Sequence, residues 1–350
     1  MTPMFSRDLT PMFSRFIACI IAASFGFCIP ASGEIYPQIH IGAFSPDGSK
    51  LSMRYCNKES VCRVGFVDLK RDRFEAILPI DKDQIWNPGG FSPDGQKMVV
   101  AVRRRSEKGM FSQIGIVSMN NLRFTQLTNG NGYKTAPNFS RDGKKIIFVQ
   151  ANRERSSGAT RLVDWDVYEI SVNGSGEQRL TDYNFYQISP PEYLPGDRQF
   201  IFSGSSPRAY KALPGEEGDR HTYKAKYRDN CIFVLPVDQS LQQLRPVFSN
   251  GEFSDYPSIS ADGSTILYRA RSDKEDGIKT KFTYDLFLFA GKTHRRMTRM
   301  EGQVSESVLS PKGDQAAFVS EKYDKPRQFE IYILNIRSGQ VKKLNPKTEN

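Results

Sequence analysis

The sequence predicts an all-β chain folded as a six-bladed β-propeller of four-stranded antiparallel blades. Three observations lead there. The stretch Phe91-Ser92-Pro93-Asp94-Gly95-Gln96-Lys97-Met98-Val99-Val100 recurs along the chain in partial copies. The copies stand roughly 50 residues apart. Each is followed by two more apolar segments of strand length, bounded by turn residues. A unit of that size cannot bury its own faces, so repetition at this period implies neighbours packed on both sides.

The copies share a turn. Phe44-Ser45-Pro46-Asp47-Gly48 precedes the stretch, and Phe139-Ser140-Arg141-Asp142-Gly143 follows it. Ile259-Ser260-Ala261-Asp262-Gly263 and Leu309-Ser310-Pro311-Lys312-Gly313 come later, with a worn copy at Leu194-Pro195-Gly196-Asp197. Ser at the first corner, Pro fixing φ at the second and Gly where φ turns positive suit a type I turn. The residues after the turn are mostly β-branched or aromatic, as buried strands require.

The blades are expected at about 36–79, 83–128, 131–181, 185–246, 252–300 and 302–345. In the first, Leu51–Tyr55, Arg63–Leu69 and Phe74–Leu78 follow the inner strand. The second continues through Met98–Val102, Gln113–Val117 and Phe124–Thr128. The third has Lys145–Gln150, Asp166–Ile170 and Glu177–Thr181. The fourth has Gln199–Ser203, Cys231–Leu235 and Leu241–Leu244, with a long insertion from Ser205 to Asn230. The fifth has Thr265–Ala270, Tyr284–Phe289 and Arg295–Thr298. The sixth has Gln315–Ser320, Glu330–Leu334 and Gln340–Leu344. All six units look complete, so the closing seam stays open: Glu34–Tyr36 adding to the last blade, or the end sheets simply packing, would each serve.

These repeats resemble the WD40-like (PD40) repeats of the TolB-type six-bladed propellers. The likeness rests on the aromatic before Ser-Pro-Asp-Gly, on Asp166-Val167-Tyr168-Glu169-Ile170 as third strand and on Gln178-Arg179-Leu180-Thr181 as fourth, and it spans roughly residues 36–345. The family implies a propeller. It does not imply one activity, because the fold hosts binding proteins, peptidase gates and lyases. TolB itself carries an α/β domain ahead of its propeller and works through both parts in the Tol–Pal system. Here the first blade is expected directly after the leader, so the resemblance is to a stand-alone propeller.

Residues 1–33 read as an export signal. Arg15 precedes an apolar run from Phe16 to Ile29, and Pro30-Ala31-Ser32-Gly33 offers a cleavage site. Thr2–Arg7 repeats as Thr10–Arg15, so Met12 is a second candidate start. An uncleaved anchor is the other reading, though the run is short for a membrane span. Phe27 before Cys28, and the early place of Cys19, argue against lipidation. A periplasmic or secreted monomer without a transmembrane span is expected. In that oxidising setting Cys56 and Cys62, flanking a polar hairpin connection, form a disulfide if their strands pair in register. Cys231 is left as a small buried hydrophobe.

Chemistry is sparse. Hydrophobic residues make up 38% and charged residues 25%, which excludes a disordered chain. The net charge of +10 is spread over several repeats, so an anionic polymer is an option for the basic loops, while nucleic acid is not expected. The three histidines, His40, His221 and His294, fall in an inner strand, the insertion and an outer strand, and do not converge on a metal. There is no Gly-x-Ser-x-Gly elbow, P-loop or EF-hand. No cofactor, metal or catalytic residue is expected. Arg103-Arg104-Arg105 reads as a solvated loop. The insertion interleaves Tyr210, Tyr223 and Tyr227 with charges, which suits a partner or plain solvent.

A binding face is easier to argue. Inner strands ring the axis, and counting back four from the residue before each turn gives His40, Asn87, Thr135, Asp255 and Ser305. Trp86, Tyr256 and Glu306 lie beside them. Polar and aromatic groups at equivalent ring positions suit a peptide or sugar, and would equally suit water at an idle mouth. The expectation is a non-catalytic module that binds an envelope protein or peptide. The alternative is a lyase-like or hydrolase-like enzyme using the same mouth.

Overall fold

A computed structural model describes residues 38–57, 59, 61–78, 84–106, 109–154, 162–205, 230–238, 246–247, 254–272, 283–300, 302–322 and 328–348. The leader, most of the insertion and the expected strand Leu241–Leu244 lie outside them. The described residues hold strands and turns and no helix, and therefore no helix long and apolar enough to cross a membrane.

The first sheet runs β1 (Gln38–Phe44), β2 (Lys50–Cys56), β3 (Cys62–Asp68) and β4 (Arg73–Ala76), each antiparallel to the last. The second contains β5 (Gln84–Phe91), β6 (Lys97–Ser106), β7 (Gly109–Ser118) and β8 (Phe124–Gln126). It continues through β9 (Tyr133–Phe139), β10 (Lys145–Glu154), β11 (Leu162–Ser171) and β12 (Gln178–Arg179). The third comprises β13 (Gln187–Ile188), β14 (Glu192–Tyr193), β15 (Gln199–Ser205) and β16 (Cys231–Pro236). The fourth runs β17 (Ser254–Ile259), β18 (Thr265–Arg271), β19 (Tyr284–Ala290) and β20 (Thr293–Arg296). The fifth runs β21 (Gly302–Leu309), β22 (Gln315–Lys322), β23 (Phe329–Asn335) and β24 (Val341–Leu344). This is a propeller of four-stranded antiparallel blades.

Three details differ from the sequence expectation. Six separate sheets were expected, but hydrogen bonding joins β5–β8 to β9–β12 in one eight-stranded sheet. The join is a single parallel pairing, Ser112 with Tyr133. The inner strand before β15 is split into β13 and β14, because Pro190 and Pro191 have no N–H to give to a ladder. Glu34–Tyr36 lie outside the described residues, and the described seam is not made by packing alone. β25 (Lys347–Thr348) pairs parallel with β4, and Lys347 N–H donates to Asp72 O at 3.0 Å.

The repeated turns form as their chemistry dictates. Gly48 N–H donates to Ser45 O at 2.8 Å, with Gly48 at φ +76°. The Ser45 hydroxyl donates to Asp47 Oδ1 at 2.6 Å and accepts from Lys50 N–H at 2.9 Å. Bonds from the Ser45 hydroxyl and from Ser49 hold the Asp47 carboxyl down to about 2. In the last copy Lys312 stands at the Asp position, and Asp314 accepts from Ser310 at 2.7 Å instead. The worn copy clamps its neighbour: Asp197 accepts from Arg141 N–H at 2.7 Å and Asp142 N–H at 2.9 Å.

The paired third-strand and fourth-strand motifs are a structural device. Asp166 accepts from the Thr181 hydroxyl at 2.7 Å, from Tyr183 N–H at 2.9 Å and from Arg179. Asp285 repeats this with Thr298 at 2.6 Å, Met300 N–H at 3.1 Å and Arg296 at 2.7 Å. Each buried carboxylate thereby fixes the chain leaving its blade.

Packing runs around the ring. Phe66 and Val64 meet Met98 and Val100, and Ile116 and Ile114 meet Phe148 and Ile146. Val167 and Val149 meet Phe200 and Phe202, and Ile201 and Ile232 meet Tyr268 and Ile266. Leu267 and Leu286 meet Phe318 and Leu334. Val308, Ala317 and Ile331 then meet Leu51, Met53 and Val67, joining the last sheet to the first. Every blade thus buries its faces on its neighbours.

Candidate functional site

The inner strands converge on an axial cavity of about 110 Å³. Its walls come in turn from β1 (His40, Ile41, Gly42), β5 (Asn87, Pro88, Gly89) and β9 (Tyr133, Thr135 to Asn138). They continue through the β13–β14 segment (Ile188, Pro190, Glu192), β17 (Tyr256, Pro257) and β21 (Glu306, Ser307, Val308). Arg54, Arg103 and Val149 are added from the second strands behind them. The close approach of inner strands explains the glycines. A Cβ on Gly89 would stand 2.3 Å from Pro137 O and 2.8 Å from Val99 O.

Side chains tie most inner strands to the next. The Ser52 hydroxyl accepts from Ala43 N–H and donates to Gly89 O at 2.7 Å. Asn138 Nδ2 donates to Pro191 O at 2.9 Å. Ile259 N–H donates to Glu192 Oε2 at 3.3 Å, and Leu309 N–H to Ser258 Oγ at 3.0 Å. Glu306 closes the circle, accepting from Ile41 N–H at 2.9 Å while its other oxygen lies 2.7 Å from His40 Nδ1. Arg54, opposite His40 in the β1–β2 register, donates to Asn87 Oδ1.

Electrostatics follow from enclosure. Burial is the main cause holding His40 below its ordinary value. Arg54 adds to that and Glu306 opposes it. Burial pulls Arg54 down to about 10 despite the field of Glu306, with Arg103 contributing to the fall. Burial pushes Glu192 up, against Arg141 and the hydrogen bonds from Ser258 and Ile259.

Five residues read from the sequence meet in this cavity: His40, Asn87, Thr135, Tyr256 and Glu306. Three do not. Trp86 points to the other side of β5, as strand alternation requires, and meets Phe124 edge-on at 4.9 Å. Asp255 is buried in a forked pair with Arg269, whose Nε lies 2.6 Å from Asp255 Oδ1. The Ser305 hydroxyl faces Val319 O at 3.3 Å.

The inner-strand bulge varies in place from blade to blade. It falls between Ile41 and Phe44 in β1 and between Pro88 and Phe91 in β5, but between Thr135 and Asn138 in β9, between Asp255 and Ser258 in β17 and between Val304 and Glu306 in β21. The same bulge place leaves Thr135 on the cavity and Asp255 on Arg269, so the partner each side chain meets, and not the bulge alone, decides which one faces the axis. Tyr256 itself sits at φ +49° within the β17 bulge.

Arg54, Arg103, Tyr133 and Glu192 also line the cavity and were missed. Arg54 had a signal, a charge inside the apolar run Leu51–Tyr55. Arg103 was read as a solvated loop residue, whereas β6 extends through it and its side chain reaches the axial wall. His294 contacts Tyr268 Oη at 2.7 Å on an outer strand, and His221 lies outside the described residues. Cys56 and Cys62 face each other in register and are joined by a disulfide, while Cys231 is half-buried and packs beside Phe233 and Leu235. Among the described residues no three His, Cys, Asp or Glu side chains group as a metal site.

The architecture has counterparts among solved structures. TolB from Acinetobacter baumannii superposes with a TM-score of 0.56 at 15% identity, over 87% of this chain and 63% of that one. A TolB-type protein of Agrobacterium tumefaciens gives 0.56 at 15%, over 80% and 86%. The fold is that of the TolB-like β-propellers. An oligogalacturonate lyase in complex with manganese shares it too, with a TM-score of 0.54 at 14% identity over 89% of this chain and 78% of the lyase. At such identities the likeness is one of fold alone. The propeller spans less than two thirds of the Acinetobacter TolB. No protein-family model and no curated protein sequence matches the chain.

Proposed function

We propose that this chain is an exported six-bladed propeller that binds a protein or peptide at its axial mouth without catalysing a reaction on it. The observation that carries the reading is the cavity itself. Successive inner segments bring polar and aromatic side chains from around the ring into one cavity whose lining also includes Pro88, Pro137, Pro190 and Pro257. That mixture suits recognition of a chain segment entering along the axis.

The six-fold count is supported by two features. Cutting the eight-stranded sheet at its single Ser112–Tyr133 bridge leaves two four-stranded units. The core clusters described above also pair successive units around the ring and return to the first. Export rests on the sequence of residues 1–33.

Selection of displayed peptides on the purified protein tests the binding reading. Peptides should be enriched that bind in solution and lose about tenfold in affinity, roughly 1.4 kcal/mol, on Asn87→Ala. Failure to enrich any peptide, together with turnover of an oligogalacturonate or peptide that Asn87→Ala abolishes, would favour the enzyme reading. Fusion of residues 1–33 to a phosphatase active only outside the cytoplasm tests export, and an inactive fusion removes it.

A further inference from the structure

The axial cavity contains a cation to which no described carboxylate is hydrogen-bonded. Arg54 is 5% exposed, yet the acceptor of its Nη1 is the neutral amide oxygen of Asn87. Its Nε is buried with no hydrogen-bond partner. Glu306, the carboxylate whose field Arg54 feels, makes its own hydrogen bonds elsewhere: one oxygen to His40 and the other to the Ile41 amide. Glu192, the other carboxylate on the wall, is held by the Ile259 amide. Buried arginines are ordinarily met by a carboxylate in a fork, because an uncompensated buried charge is costly.

We propose that the cavity captures the free C-terminal carboxylate of a peptide, with Arg54 as its binding group. The inference rests on the peptide-binding reading and specifies which end of the chain enters. A monoanion is favoured over a phosphate, since a second negative charge would face Glu306 and Glu192 in the same small space. A planar carboxylate also matches the guanidinium fork. The volume, about 110 Å³, is well below the roughly 300–1,000 Å³ that a drug-sized ligand fills, so the site takes a chain end and not a whole side-on segment. Pro88, Pro137 and Pro257 present apolar wall without N–H donors, and Arg54 and Arg103 supply the positive charge beside it.

The test is a titration of the purified protein with acetyl-Ala-Ala, its C-terminal amide, and galacturonate, followed by NMR of the Arg54 Nε–H and the His40 ring. The free acid should shift both resonances to saturation, and the amide should bind at least about tenfold more weakly. Arg54→Gln should erase the difference. Arg103→Gln, on the same wall, serves if the first variant does not fold, and should weaken the acid more than the amide. Equal binding of acid and amide would overturn carboxylate capture and leave peptide binding standing. Shifts with galacturonate alone would overturn both, as would no shift with any of the three probes.

Discussion

Glu306 and His40 sit at opposite ends of the propeller's sequence and 2.7 Å apart in space. The carboxylate also receives the Ile41 amide, so one side chain from the last described inner strand holds both the side chain and the backbone of the first. The seam is therefore secured at the axis by Glu306, at mid-depth by Val308 and Ile331 against Leu51 and Val67, and at the rim by β25 on β4.

His40 makes stability depend on pH in a definite direction. Its pKa is depressed in the folded state, chiefly by burial, below the unfolded value of 6.5. The unfolded chain therefore takes the proton first. Stability is complete above pH 6.5 and falls as the pH drops from there through the folded pKa, by at most about 1.4 kcal/mol per pH unit for one proton. Urea unfolding between pH 7.5 and 5 should show this slope, and His40→Gln should flatten it. In Glu306→Gln the raising influence of the carboxylate is gone, so NMR titration should find the His40 pKa lower still.

Two glycines should respond differently to alanine. Gly48 has open space around its missing Cβ and costs only the left-handed backbone at φ +76°, about 1–2 kcal/mol. Gly89 would drive a Cβ into Pro137 O and Val99 O, which moves two strands and costs about 3 kcal/mol or more. Thermal unfolding should rank Gly89→Ala well below Gly48→Ala. It should also show altered cavity resonances only for Gly89→Ala.

What was readable in the sequence was local. Ser-Pro-Asp-Gly declares its turn because the bonds that make it lie within six residues, from Ser45 to Lys50. Asp166 and Arg179 were readable as marks of third and fourth strands because repetition displayed them, although only the structure shows them bonded to each other. The cavity wall was legible in part. His40, Asn87 and Thr135 obey a count from the turn, while Asp255 is drawn to Arg269 and Ser305 to Val319 O, contacts that no turn motif encodes. Arg54 and Arg103 escaped because a strand's inward face is decided by register with its neighbours, which involves residues far away in the chain.

The worn turn copy has taken on work between blades, and Asp197 should show it. Asp197→Ala leaves the Arg141 and Asp142 amides without their acceptor. Because this turn is partly open to solvent, water recovers some of the loss, and a cost of about 1–2 kcal/mol is expected. Asp197→Asn keeps one oxygen and should lose about half as much. Hydrogen exchange at the Arg141 and Asp142 amides checks the origin: both should speed up in the Ala variant before any global change.

Arg269 offers the sharpest test of how a buried pair is held. Its guanidinium forks onto Asp255, donates to Val304 O at 2.8 Å, and lies 5.0 Å from the ring centres of both Tyr256 and Tyr284. Arg269→Leu strands Asp255, already 1% exposed, and should cost about 3–5 kcal/mol near neutral pH. Adding Asp255→Leu removes the stranded charge, so the double variant should be more stable than Arg269→Leu alone, a coupling measured by a double-mutant cycle. Burial already pushes the Asp255 carboxyl up, and Arg269 is what opposes it. In Arg269→Leu the folded pKa therefore lies far above the unfolded one, and the folded state binds the proton more tightly. Stability of that variant should rise as pH falls through the raised pKa, opposite to the trend set by His40, and the double variant should show no such rise. If acid fails to rescue Arg269→Leu, the charge on Asp255 is not what destabilises it, and the lost stacking between Tyr256 and Tyr284 is.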